Sequence, residues 1–431
     1  MTGVLKPCTA LLIAAAILLM GNGLLGMLLP LRADVEHFTR LEIGLLGSSH
    51  YAGLIAGCLL CPLAIARVGH IRAFIAFTSS VAITPLLHAI WPEPLAWSAL
   101  RALNGLCFAG LIMGIESWLT GASTNETRGR VLAAYTIVNL TVATAGMQLA
   151  ALTSLKGFEL FSLVAILYSL AAVPVALTTT PAPNPPKKPK LRLGWLLTIS
   201  PAAVAGCLFM GMANGAFWTL APLYARSAGF SLAEVAAFMT VAVLGGALSQ
   251  WPVGFLSDRI GRRPVLVALV SVAVVAGVGL YELSTSDPLL IFGFAALFGA
   301  CHFPIYTLCV AHANDLVHEK RAVEVSSGLL LTFSIGAVLG PLLGSWAMSH
   351  FGHGALFLHS AVAHLLITAV MILRVRVRPQ LPAERREEFV AVPRTTPAVF
   401  ELDPRSESHG APDTATGAPM PAGVLGVRQP A

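Results

Sequence analysis

Gly254-Phe255-Leu256-Ser257-Asp258-Arg259-Ile260-Gly261-Arg262-Arg263 lies between two stretches that are almost wholly apolar. Charge is scarce in this chain, 11% of residues against 56% that are hydrophobic. An acid and three arginines gathered around a glycine therefore mark a short turn where two helices leave an apolar phase for water. A carboxylate and guanidinium groups at such a boundary form charge-assisted hydrogen bonds. They can clip neighbouring helix ends together in one state of a moving protein.

The flanking sequence supports that reading. Soluble chains carry about a quarter charged residues, whereas the mean hydropathy is +0.77 for this one. The apolar residues come in blocks of about 20, the length at which a helix crosses some 30 Å of hydrocarbon. Twelve such blocks are expected, near 8–31, 41–66, 73–91, 96–119, 131–154, 158–178, 196–224, 232–256, 264–283, 289–312, 323–348 and 354–374. The expected fold class is an all-α membrane protein with twelve transmembrane helices.

Basic residues set the orientation. Lys6, Arg67, Arg72, Arg128, Arg130, the Lys187–Arg192 cluster, Arg259, Arg262, Arg263, Lys320, Arg321 and the arginines at 374, 376 and 378 share one set of loops. The other set holds Arg32, Arg40, Lys156 and Arg226. Both termini are expected in the cytoplasm, with the body in the inner or plasma membrane. The net charge of +6 is spread over turns and makes no stripe for nucleic acid.

Pro181, Pro183, Pro185, Pro186 and Pro189 interrupt the hydrophobic pattern, since proline cannot continue a helix. They divide six spans from six. Positions 192 apart match across that break: Asn22 with Asn214, Pro30 with Pro222, Gly69 with Gly261, Arg128 with Lys320. The expected organisation is a six-helix bundle over 1–178, a cytoplasmic linker over 179–195, a second six-helix bundle over 196–375 and a disordered tail over 376–431. The tail is Pro-, Ala- and Thr-rich with no helical or strand period. A dispensable extension and a regulatory segment both fit it.

Six-plus-six spans with G-x-L-S-D-R-x-G-R-R after the eighth resemble the major facilitator superfamily. Glu116-Ser117, then Arg128-Gly129-Arg130-Val131-Leu132-Ala133-Ala134-Tyr135, and Gln250-Trp251-Pro252-Val253-Gly254 resemble its YcaD-like branch. That resemblance implies a secondary transporter of a small solute, working by alternating access and coupled to protons. It implies a latch at Asp258, Arg259, Gly261, Arg262 and Arg263, with Arg128 and Arg130 in the other half. It also implies a cavity lined by the first, fourth, seventh and tenth spans, which offer Asn22, Asn104, Asn214, Trp218, His302 and Tyr306. Two features depart from the family pattern. Ala66 stands where the first-half turn usually has its acid, and Gly336-x-x-x-Gly340-Pro341 falls in span eleven instead of span five.

Two charged residues lie away from span edges, within the expected hydrocarbon. Arg101, in Arg101-x-x-x-Gly105, is a proton-coupling candidate, the alternative being a side chain that reaches back to the surface. Glu116 is 15 residues further on, about 22 Å along a helix at 1.5 Å per residue. The two cannot pair. Glu116 fits a proton carrier and a structural partner of Arg128 or Arg130 equally well.

No G-x-x-x-x-G-K-[ST], H-E-x-x-H or G-x-S-x-G is present, so neither direct ATP use nor a familiar hydrolytic centre is expected. An enzyme or sensor on the same scaffold is the rival class. Cys58-x-x-Cys61 sits inside an apolar run without a second pair; it suits packing better than metal. Neither a cofactor nor a metal is expected. The partners expected are a small-molecule substrate, protons and lipid, with the chain acting as a monomer. The solute's identity and the direction of transport stay open.

Overall fold

The computed structural model describes residues 8–124, 126–178, 180–186, 192–283, 287–317, 321–375 and 389–403. Among them are twelve helical spans of membrane length: α1 (Thr9–Val35), α2 (Arg40–Val68), α3 (His70–Ile90), α4 (Pro94–Ala122), α5 (Arg128–Ala151), α6 (Glu159–Ala176), α7 (Pro201–Ser227), α8 (Leu232–Ile260), α9 (Arg262–Glu282), α10 (Pro288–Asn314), α11 (Ala322–Phe351) and α12 (Ala355–Leu373). No strand occurs among the described residues. Lys6, Lys187, Lys188, Lys190, Lys320, and the arginines at 376 and 378, all used to orient the chain, lie outside the described residues.

Local chemistry sets the ends. Thr39 caps α2 and Ser231 caps α8, each in a reciprocal capping box with the glutamate three residues on, Glu42 or Glu234. The box satisfies two backbone donors that a helix start leaves free. Both boxes fall at the 192-residue offset, as do the glycines that end the same two helices. Proline shifts one expected edge and divides another span. The seventh span was expected from 196, but Pro201 starts α7 and leaves Leu193–Ile199 as a separate short helix. Pro304 divides α10 at Phe303 into two pieces. The expected edge at 131 also moves: α5 begins at Arg128, so Arg128 and Arg130 belong to its first turn.

Within the first half α1 packs on α5 and α2 on α4; within the second α7 packs on α11 and α8 on α10. Glycine lets these pairs touch main chain to main chain. A Cβ at Gly53 would strike the carbonyl of Ala102 in α4, and one at Gly245 that of Ala296 in α10. Gly23 and Gly215 meet the carbonyls of Ala143 in α5 and Ala337 in α11 in the same way. Such close crossings are how helices gain contact where lipid removes the hydrophobic drive.

The halves join at the end opposite the Gly69 and Gly261 turns. There Ser48 Oγ donates to the Val338 carbonyl at 2.6 Å and Gln148 Nε2 to Thr240 Oγ1 at 2.9 Å. Gly44 abuts Ser345 and Gly47 abuts Thr219. The turn-bearing end, here called the basic end, is filled differently. Residues 389–403 lie there, with a 3-10 helix at Pro397–Leu402 packed on α4, α5 and α11. The expectation of a structureless tail does not hold over this stretch. Val399, Phe400 and Leu402 are buried, so contact with the bundles supplies the order that local periodicity lacks.

Candidate functional site

A cavity of about 330 Å³ lies between the halves, within the range of small-molecule sites. Asn22 and Arg101 reach it from the first half, Asn214 and Trp218 from the second. Two of the asparagines are the pair matched by the repeat. The Asn214 Oδ1 atom has no hydrogen-bond partner among the described residues, so a polar solute group can satisfy it. Trp218 presents an aromatic surface, held edge-on against Phe217 at 5.9 Å between ring centres.

Arg101 is buried and faces the cavity. It does not reach back to the surface. Its Nη1 donates to Asn104 Oδ1 at 3.3 Å, and Asn104 Nδ2 donates in turn to Thr84 Oγ1 at 3.3 Å. No carboxylate pairs with Arg101 among the described residues. Asn104 thus stands behind the arginine and does not line the cavity.

His302 and Tyr306 also lie off the cavity wall. His302 is fully buried, its Nδ1 lying 3.1 Å from His364 Nε2 and its ring stacked on Phe298 at 4.8 Å. The break at Phe303 helps explain this: Phe303, at the junction of the two α10 pieces, reaches the wall, as does Thr307. Tyr306 packs edge-on against Phe333 at 5.0 Å and lies beneath the Arg394 guanidinium.

Glu116 is completely buried on α4. Its carboxylate accepts from Tyr135 at 2.9 Å, and from the hydroxyls of Thr395 and Thr396 in the tail. Tyr135 ends the motif quoted above, yet its role was not read from it. The two threonines carry no sequence signal at all.

At the basic end Gly261 has φ +106°, a conformation L side chains avoid, and its N–H bonds to the Ser257 carbonyl at 3.0 Å. That turn aims Arg262 inward. Its guanidinium donates to Asp258, to Ser257 Oγ at 2.7 Å and, through Nε, to Asp315 Oδ2 at 3.2 Å. Asp315 escaped the sequence reading because the tenth span was expected to stop at 312. An acid just past a helix end, on the face of the charged turn, is the signal that would have found it. Arg259 lies over the Phe255 ring at 4.2 Å. Arg263 is buried, as is Arg128 across the seam, while Arg130 is exposed.

The cavity draws on more helices than expected. His50 and Tyr51 of α2, Asn139 of α5, Gln250 of α8 and Phe333 of α11 join the wall, and residues 391–396 close it at the basic end.

Comparison with known proteins agrees with this architecture. The Major Facilitator Superfamily profile matches residues 11–322 and 204–409. Relatives in Shigella flexneri and Escherichia coli, each named an uncharacterized MFS-type transporter YcaD, are 28% identical over 375 residues, which is 86% of this chain and 96% of theirs. Among solved structures, a mutant of the nucleoside transporter NupG superposes with TM-score 0.71 at 13% identity, over 85% of this chain and 99% of that one. A bacterial homologue of the human lysosomal transporter Spinster, in an inward-facing and occupied conformation, gives 0.71 at 15% identity, over 88% and 97%. Twelve membrane-length helices in two matched bundles around a shared cavity, with a profile match over most of its length, place this chain in the major facilitator superfamily of membrane transporters.

Proposed function

We propose that the protein is a secondary active transporter that moves a small solute through the inner or plasma membrane by alternating access, coupled to protons. The observation that carries this reading is a cavity walled by both repeats, whose described contacts with each other, Ser48 on Val338 and Gln148 on Thr240, lie at the end away from the basic turns. The positive-inside rule puts the basic end in the cytoplasm with both termini, so the arrangement is inward-facing. The solute class that suits the wall is a polar, ring-bearing molecule. Asn22 and Asn214 offer amides, Trp218 a stacking face and Arg101 a fixed positive charge.

Arg101 and Glu116 are the coupling residues in this reading. The Glu116 carboxylate accepts from the hydroxyls of Tyr135, Thr395 and Thr396, and hydroxyls can reorient for either protonation state of the carboxyl. Asp258 and Arg262, with Arg259, Gly261 and Arg263, form the latch in this reading, and Arg128 and Arg130, in the first turn of α5, are its members in the other half.

The test is solute-driven proton flux in proteoliposomes across a panel of polar aromatic and amphipathic compounds. Arg101→Ala and Glu116→Gln should each lower that flux at least tenfold. Flux that survives both changes removes these residues from coupling. Asp258→Asn should slow turnover while solute affinity stays within twofold; lost binding with normal exchange would sink the latch.

A further inference from the structure

The mouth of the cavity at the basic end is occupied by the chain itself. Residues 389–403 enter between α4 and α5 of one half and α11 of the other, and four anchors hold them. The Phe389 N–H donates to Asp258 Oδ2 at 3.3 Å, and its ring covers Gly254. Arg394 sits over three rings, 5.5 Å from Phe303, 5.7 Å from Tyr306 and 5.5 Å from Phe333. Thr395 and Thr396 donate to Glu116. Val399, Phe400 and Leu402 are buried against the bundles.

Each anchor answers a need of the body. Glu116 and Asp258 gain donors, and three rings gain a cation, which aromatic faces attract. The segment is therefore matched to the crevice in charge, hydrogen bonding and apolar surface together. From this geometry we infer that the cytoplasmic mouth is a peptide-docking site whose occupant is this chain's own segment 389–403, and that the docked segment plugs the solute path. Its buried side chains separate the halves where they would have to meet for the cavity to open on the other face. The plug must leave before a transport cycle completes. Departure would also strip Glu116 of its two threonine donors, which links release of the tail to the candidate proton carrier.

The docking claim stands on contacts alone, while the plugging claim rests on the transport reading above. The segment and α12 belong to one chain, so its docking is intramolecular. An intramolecular partner gains from effective concentration, so the tail should outcompete a free copy of itself.

The experiment uses a labelled synthetic peptide of residues 389–403 and two purified proteins, the full chain and a form ending at residue 378. The peptide should bind the shortened protein saturably and the full chain at least tenfold more weakly. Peptides carrying Arg394→Ala, or Thr395→Ala with Thr396→Ala, should lose at least tenfold in affinity. No saturable binding, equal binding to both proteins, or no loss with Arg394→Ala overturns the docking site. Hydrogen exchange on the full chain guards against a shortened form that does not fold. Amides of 389–403 should be protected, and Arg394→Ala should speed their exchange at least tenfold; unprotected amides overturn the proposal. Once a solute is known, the shortened form should carry it several-fold faster. Unchanged flux alongside intact peptide binding refutes plugging but not docking, and a failed peptide test with normal flux leaves transport standing.

Discussion

The turns after α2 and α8 have one backbone and two chemistries. Gly69 and Gly261 both sit at positive φ, +86° and +106°, and each N–H bonds four residues back, to Ile65 or Ser257. Around Gly261 the next residue, Arg262, is tied to Ser257, Asp258 and Asp315. The counterpart of Arg262 after Gly69 is His70, whose Nε2 lies 2.9 Å from Ser117 Oγ and whose ring meets Trp118 edge-on. The counterpart of Asp258 is Ala66, which is exposed. Shape is thus common to the repeats and set by glycine, whereas Asp258, Arg262 and Asp315 make an ionic cluster at the second turn. Of the two turns, the second offers the tail an acid, at Asp258.

Substitution of the central side chains should break the comparison most sharply. Arg262→Ala leaves Asp315, only 3% exposed, without this cation, and removing one member of a buried pair costs about 3–5 kcal/mol. His70→Ala removes one neutral hydrogen bond, worth about 1 kcal/mol. Thermal unfolding in detergent should show the larger loss in the second half; equal losses would mean that the cluster is energetically idle. The shared backbone predicts the opposite pattern for Gly69→Ala and Gly261→Ala. Each should cost about 1–3 kcal/mol for a strained left-handed residue, with the two values alike. A marked inequality would show that one turn relaxes where the other cannot. Smallest of all is Ala66→Asp, which restores the acid without an arginine at the position of His70. At an exposed site it should change stability by no more than about 0.5 kcal/mol, and a larger gain would reveal a hidden cation partner.

The membrane-spanning body was legible because hydropathy and proline report directly on spans and breaks. Apolar runs gave twelve helices, and the 192-residue match of Asn22 with Asn214 pointed to residues that share the cavity. What escaped has a common cause: it depends on the meeting of distant segments. Arg394 is flanked by Pro393 and Thr395 in a stretch without period, and only the rings of α10 and α11 give it a place. His302 looked like a wall residue by its span, yet its partner His364 comes from α12. Asp315 lay three residues past an expected edge, and hydropathy does not fix edges more finely than that.

The glycine crossings have a mechanical consequence. Where Gly23, Gly53, Gly215 and Gly245 lay one peptide chain on another, no rotamer is available to absorb displacement, so each six-helix unit resists bending as a stiff jaw would. Compliance is left to the seam, which is built from side-chain contacts such as Ser48 on Val338 and Gln148 on Thr240. Two rigid jaws on a soft seam act as a lever. A slight slip at one lip becomes a wide gape at the other.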